Sequence, residues 1–174
     1  MPEKLFNVLF LCTGNTARSI LAESILHKIG AGKFRSFSAG SHPKGAVNQL
    51  ALKVLQAHEY PIAGLRSKSW EEFSSPNAPS MDFVVTVCDS AAGEACPLWP
   101  GQPITAHWGI EDPAAIEGTD IEKERAFEQA FYYLSRRIGA LAALPIASLD
   151  ALKLQGEMRR IGSMEGATDK ALEA

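Results

Sequence analysis

The stretch that decides the fold is LFNVLFLCTGNTARS, residues 5–19. Leu5 to Leu11 is a nearly continuous apolar run with Phe and Val, the pattern of a strand buried on both faces. It stops at a small polar turn, Cys12-Thr13-Gly14-Asn15. From Thr16 the spacing changes: Ala17, Ile20, Leu21, Ser24, Ile25 and Ile29 recur three and four residues apart, which predicts a helix. Gly30 and Gly32 end it.

Working outward, the same alternation continues. Arg35 to Ala39 reads as a strand closed by Gly40, and Val47 to His58 as a helix with Val47, Leu50, Ala51, Val54 and Leu55 on one face. A short helix is expected within Arg66–Phe73, then loop over Ser74–Ser80. Phe83–Val87 is a third buried strand and Ala91–Gly101, with Gly93, Pro97, Pro100 and Gly101, a long loop. Ile104–Trp108 is the fourth strand. Thr119 and Glu122 form a capping box ahead of Phe127, Phe131, Leu134, Ile138 and Leu141, an amphipathic helix running to about Leu144. Ser148 is placed to cap a further helix to Ile161, and the small polar residues 163–174 read as a frayed tail. Strands alternating with helices imply an α/β fold with a parallel sheet covered on both faces. No repeat or linker divides the chain, so residues 1–162 read as one domain with a helical extension from about 148.

Composition narrows the function. With 174 residues, 46% hydrophobic and 21% charged, the chain is long enough for one core and unlike a disordered segment. Seventeen Lys+Arg against twenty Asp+Glu give a net charge of −3, which argues against a nucleic-acid binder with a broad basic surface. An anionic substrate must then be drawn by local groups. The apolar run near the N-terminus is too short to cross a bilayer or serve as a signal h-region, so a cytoplasmic protein without membrane partners is expected. Three cysteines, Cys12, Cys88 and Cys96, are too few for a disulfide framework, and in a reducing compartment they become candidates for chemistry. No metal is expected. There is no CxxC pair, and His27, His42, His58 and His107 show no ligand spacing.

Cys12 ends a strand and Arg18 lies six residues on, in the first turn of a helix, at the strand edge where parallel α/β sheets bind ligands. The N–H groups of Thr13, Gly14, Asn15, Thr16, Ala17 and Arg18, wrapped inward, make a nest for a tetrahedral oxyanion. Gly14 and Asn15 tolerate the positive φ that wrapping needs, and the Arg18 guanidinium can fork onto two oxygens. The same surroundings are expected to activate Cys12. At an ordinary pKa of about 8.5 roughly 3% of a thiol is ionised at pH 7, and a pKa of about 6 needs about 3.4 kcal/mol of stabilisation. A helix terminus gives about 0.3–2 kcal/mol, so Arg18, Ser19 and the loop must supply the rest. A Walker-type nucleotide loop is excluded, since the Gly-Lys-Ser/Thr ending is missing.

CTGNTARS resembles the Cys-x5-Arg-Ser loop of the low-molecular-weight protein tyrosine phosphatase superfamily. FLCTGNTARSILAE, with SAGSHP and HWGIEDP, is similar to its arsenate reductase branch. The resemblance covers about Asn7 to Leu144. It implies a three-layer sandwich whose four-stranded parallel sheet is flanked by helices. Cys12 would be the nucleophile, Arg18 the oxyanion ligand, Ser19 a support for the thiolate, and Asp112 of Asp112-Pro113 the general acid. Reduction of arsenate to arsenite would use Cys88 to displace the Cys12 adduct and Cys96 to take over the disulfide, with thioredoxin or glutathione–glutaredoxin as reductant. The alternative is a phosphatase that uses Cys12, Arg18 and Asp112 alone on phosphate monoesters.

Three departures qualify the match. Seven residues lie between Cys88 and Cys96, where thioredoxin-linked reductases of this branch have six. Ala114 and Ala115 follow Asp112-Pro113 where tyrosine phosphatases tend to carry tyrosines, leaving Trp99 and Trp108 as candidates for an aromatic wall. The family also carries positions for a potassium ion. Asn15, Glu23 and Ser38 match three of them, while Trp70-Glu71 stands where an aspartate is usual, so no cofactor is expected.

Overall fold

The computed structural model describes residues 4–94, 97 and 99–174. β1 (Phe6–Cys12) pairs in parallel with β2 (Phe34–Gly40) on one side and β3 (Phe83–Thr86) on the other, and β4 (Ile104–His107) adds beyond β3. The order is β2-β1-β3-β4. A strand with two neighbours is covered on both faces, which is why β1 is apolar at successive positions. Its residues divide by the pleat: Val8, Phe10 and Cys12 enter one core, Leu9 and Leu11 the other. Because all four strands are parallel, their C-terminal ends share one edge, and Cys12 and the chain after Thr86 meet there.

The layers are unequal. α1 (Arg18–Ile29), α2 (Gln49–Ala57), α4 (Asp120–Ala143) and α5 (Ala151–Gly162) send Leu21, Leu55, Leu134 and Met158 into the larger core. The opposite face is covered by Phe73 of a 3-10 turn (Trp70–Phe73) and by Met81, packed with Leu9, Leu11 and Val84. In α4 the expected stripe Phe127, Phe131, Leu134, Ile138 and Leu141 is buried throughout, and the Thr119 hydroxyl accepts from Glu122 N at the helix start.

Several expectations are corrected. α1 begins at Arg18 rather than Thr16, because residues 13–17 are wound into a loop in which Asn15 has φ 48°. A short helix, α3 (Asp89–Gly93), reaches into the stretch read as loop. α5 is capped by Asp150, whose carboxylate accepts from Lys153 N at 2.8 Å, while Ser148 ends a 3-10 turn.

The tail read as frayed from 163 is folded. Ala167 bridges Ile110 in antiparallel fashion, and α6 (Asp169–Glu173) buries Ala171. Its anchor is Arg137, fully buried in the middle of α4, which donates to Glu165 O at 3.0 Å, Met164 O at 2.9 Å and Tyr133 O at 3.2 Å. Buried carbonyls need donors, and a guanidinium supplies several from one side chain. Arg137→Leu leaves those carbonyls unpaired, and is expected to lower the unfolding free energy by about 2–4 kcal/mol in urea denaturation. It is also expected to open the segment after Gly162 to limited proteolysis.

Candidate active site

The loop after β1 is shaped by what its carbonyls bind. Thr13 O, Gly14 O and Thr16 O accept from His42 N (2.9 Å), Lys44 N (3.1 Å) and Asn48 N (2.9 Å), and Ser67 Oγ donates to Gly14 O at 3.0 Å. With those carbonyls drawn outward the amides turn inward. None of the N–H groups of Gly14 to Arg18 is donated to an acceptor among the described residues. Ala17, at the N-cap position of α1, offers no side-chain cap, so the first helical N–H groups stay available to an anion. The end of β2 lies directly beneath. A Cβ at Gly40 would stand within 3.0 Å of Thr13 O and Cys12 O, so glycine is what permits this approach.

Asn15 fixes the loop from inside. Fully buried, it accepts from Lys68 N at 2.9 Å through Oδ1 and donates through Nδ2 to Ser19 Oγ (2.8 Å) and Ser38 Oγ (3.0 Å). Because the Ser19 oxygen is occupied as an acceptor, its hydroxyl hydrogen is left for another partner. Ser38 donates to Glu23 Oε1 at 2.5 Å. Lys68 Nζ stands 3.3 Å from Glu23 Oε1, 3.4 Å from Ser38 Oγ and 3.1 Å from Arg66 O. Burial pushes the Lys68 ammonium below the usual lysine range while Glu23 pulls it back up. Among the groups that family resemblance associates with a potassium ion, this chain thus places its own cation, and an added ion does not fit there. No sequence pattern marks Lys68, which lies in an irregular connection between α2 and the 3-10 turn.

Cys88, just past β3, is carried next to Cys12 because β3 is hydrogen-bonded to β1. Both sulfurs are buried and unoxidised. Thr13 N donates to Cys88 Sγ at 3.3 Å. The surroundings push the two thiols in opposite directions. The bond to Cys88, followed by burial, pushes Cys12 well above the ordinary thiol range, although Arg18 pulls it down. Cys88 is pushed down to about 5: the Cys12 bond supports its thiolate, burial opposes it, and Ala91 N–H, Arg18 and Thr13 N–H add support. Charge on one sulfur disfavours charge on the other, and the donors around Cys88 favour its thiolate.

Arg18 donates through Nη1 to Ile110 O at 2.9 Å, and its Nη2 lies 3.6 Å from Asp112 Oδ2. Its Nε is buried without a partner. The other carboxylate oxygen of Asp112 accepts from Ala114 N at 2.9 Å, starting the 3-10 turn Pro113–Ala115. An open cleft of about 1190 Å³ lies over these groups, lined by Arg18, Cys88, Ile110, Asp112, Tyr133 and Thr168 among others. Cys12, Arg18, Ser19, Cys88 and Asp112 thus converge at one sheet edge, while Cys96 lies outside the described residues. The proposed aromatic wall is not there. Trp108 is fully buried against Phe10 and donates to Met158 O, and Trp99 packs on Trp70. Tyr133 of α4 and Thr168, just before α6, also line the cleft and escaped the sequence reading. Among the described residues no three His, Cys, Asp or Glu gather to hold a metal, and no helix is long and apolar enough to cross a membrane.

Residues 7–154 match the family described as low molecular weight phosphotyrosine protein phosphatase. The arsenate reductase of Oceanobacillus iheyensis is 35% identical over 142 residues, covering 82% of this chain and 97% of that protein. That of Halalkalibacterium halodurans is 36% identical over 135 residues, covering 78% and 94%. A solved arsenate reductase in its phosphate binding state is 27% identical, with a TM-score of 0.65 over 80% of this chain and 98% of that one.

The location of the charge is measurable. A depressed thiol is ionised above its folded value and loses that form as pH falls through it. In a Cys96→Ser background, ultraviolet thiolate absorbance is expected to show a single thiolate forming as pH rises through about 5. Adding Cys12→Ala removes the largest support for the Cys88 anion, and the step is expected to move up by at least about one unit.

Proposed function

The chain belongs to the low molecular weight phosphotyrosine protein phosphatase family, and from that premise we propose that it is a thiol-dependent arsenate reductase in which Cys12, Cys88 and Cys96 carry the electrons. The observation that supports this most is the sulfur pair. A phosphatase needs Cys12, Arg18, an acid and water; it has no use for a second buried thiol held by Thr13 N at 3.3 Å from its sulfur. The curated relatives at about 35% identity are arsenate reductases.

Arsenate enters with its oxygens on the N–H groups of Thr13 to Arg18 and on the Arg18 guanidinium. Proton transfer from Cys12 to Cys88 produces the Cys12 thiolate, which attacks arsenic. An As–O bond breaks, and the departing oxygen takes a proton from Asp112 and leaves as water. Nothing is reduced yet. Cys88 then passes the proton it took from Cys12 to the Asp112 carboxylate, and its thiolate, supported by the donors around it, attacks Cys12 Sγ. An S–S bond forms, and the pair of the S–As bond stays on arsenic, which falls from As(V) to As(III) and departs as arsenite. The two cysteines have supplied two electrons. Cys96 attacks Cys88 to shift the disulfide to Cys88–Cys96 and free Cys12, and a thioredoxin or a glutathione–glutaredoxin system in the cytoplasm reduces it. Aryl phosphate hydrolysis persists as a weak side reaction, since Ala114 and Ala115 give a phosphotyrosine ring no aromatic support.

Arsenate turnover by Cys88→Ser and Cys96→Ser, assayed with both reductant systems, tests this reading. Cys88→Ser is expected to abolish arsenite formation and keep aryl phosphate hydrolysis; Cys96→Ser is expected to release arsenite once and stall. Robust phosphatase turnover with no arsenate reduction in the parent contradicts it. Asp112→Asn is expected to slow formation of the Cys12 adduct about 100-fold while phosphate binding, followed by calorimetry, changes little.

A further inference from the structure

α3, which follows Cys88 directly, buries only Ala91 among its five residues, so apolar packing does little to fix it. Polar contacts converge on its first residue instead. Asp89 Oδ1 accepts from Thr168 Oγ1 at 2.7 Å and lies 2.8 Å from His107 Nε2. The other ring nitrogen of His107 lies 2.7 Å from Thr86 Oγ1, and Lys170 Nζ donates to Asp89 O at 3.2 Å. β3, β4 and the C-terminal segment therefore all close on the residue next to Cys88. Thr168 is itself held, donating from its N to Gly109 O at 3.0 Å beside the Ala167–Ile110 bridge. Gly109 makes room: a Cβ there would fall within 3.0 Å of Asp89 Oδ1, His107 Nε2 and Thr168 Oγ1. Burial would raise the Asp89 carboxyl, but the Thr168 and His107 bonds outweigh it, so the strong charge-assisted form of these bonds is the one present.

Thr168 and Lys170 lie outside residues 7–154, the extent of the family match. The start of this segment is already secured without them, by Arg137 at residues 164 and 165. We propose that Thr168, acting through Asp89 together with His107, is a positioning residue that holds Cys88 against Cys12 for the disulfide-forming step. This rests on the reading of Cys88 as the thiol that attacks the Cys12 adduct. An intramolecular attack is fast to the degree that its reacting atoms are kept in place, and loosening α3 lets Cys88 Sγ spend less time beside Cys12 Sγ.

The test uses the full-length chain in the Cys96→Ser background, where Cys12 and Cys88 are the only thiols. Two rates are followed: arsenite release in a single turnover, and closure of the Cys12–Cys88 disulfide by diamide without arsenate, in which diamide takes up the two electrons and two protons. Thr168→Val is expected to slow both about fivefold, and Thr168→Ser to return both to within about twofold of the parent. Lys170→Met, which removes one exposed bond, is expected to slow both about twofold and keeps the question open to test if Thr168→Val does not fold. Aryl phosphate hydrolysis, which does not use Cys88, is expected to fall less than either of these rates in every variant. Parental closure rates in Thr168→Val overturn the proposal, and so does a parallel fall in aryl phosphate hydrolysis, which marks a general structural role. If the parent closes the pair with diamide but releases no arsenite, the arsenate reading fails, and the diamide comparison still decides the role of Thr168.

Discussion

Two buried thiols, Cys12 and Cys88, brought to one edge of the sheet are the constraint around which the rest of this molecule is arranged. Burial opposes charge on either thiol, and charge on one disfavours charge on the other. The chain resolves this with donors rather than solvent: Thr13 N–H and Ala91 N–H serve Cys88, and Arg18 stands near both. In the proposed reaction Cys12 attacks first as the anion and Cys88 second, so the charge has to pass between them with a proton.

The fold delivers this arrangement through its backbone. β1 and β3 are adjacent and parallel, so Cys12 and Cys88 leave the sheet at the same edge. The loop from Thr13 to Ala17 exposes its amides because His42, Lys44 and Asn48 take its carbonyls, and Asn15 braces it through Ser19, Ser38 and Lys68. That brace carries its own cation: the Lys68 ammonium pairs with Glu23. Net charge is −3 over the whole chain, so attraction of the proposed anionic substrate falls to local groups such as these amides and Arg18.

Much of this was legible because it is local. A buried strand, a polar Gly/Asn turn and a helix within fifteen residues identify the loop around Cys12 and Arg18, and the period of α4 gave its buried stripe residue by residue. What could not be read depends on side chains meeting distant backbone. Arg137 sits in α4 like any surface arginine in a helical pattern, yet it orders a tail whose small polar composition predicts fraying. Trp108 reads as a cleft aromatic from its place after β4, but its indole N–H finds Met158 O in the core. A sequence shows the helix terminus and Arg18 near Cys12, but not that a second sulfur takes the Thr13 amide.

The central claim is that Cys12 and Cys88 alone complete the two-electron step. Cys96→Ser protein, freed of all added thiols, is mixed with arsenate, and the released arsenite and the disulfide are identified by mass spectrometry. The account predicts about one arsenite per chain, with Cys12 and Cys88 joined in the same yield. Retention of both thiols, with no arsenite until an external thiol is supplied, would contradict it.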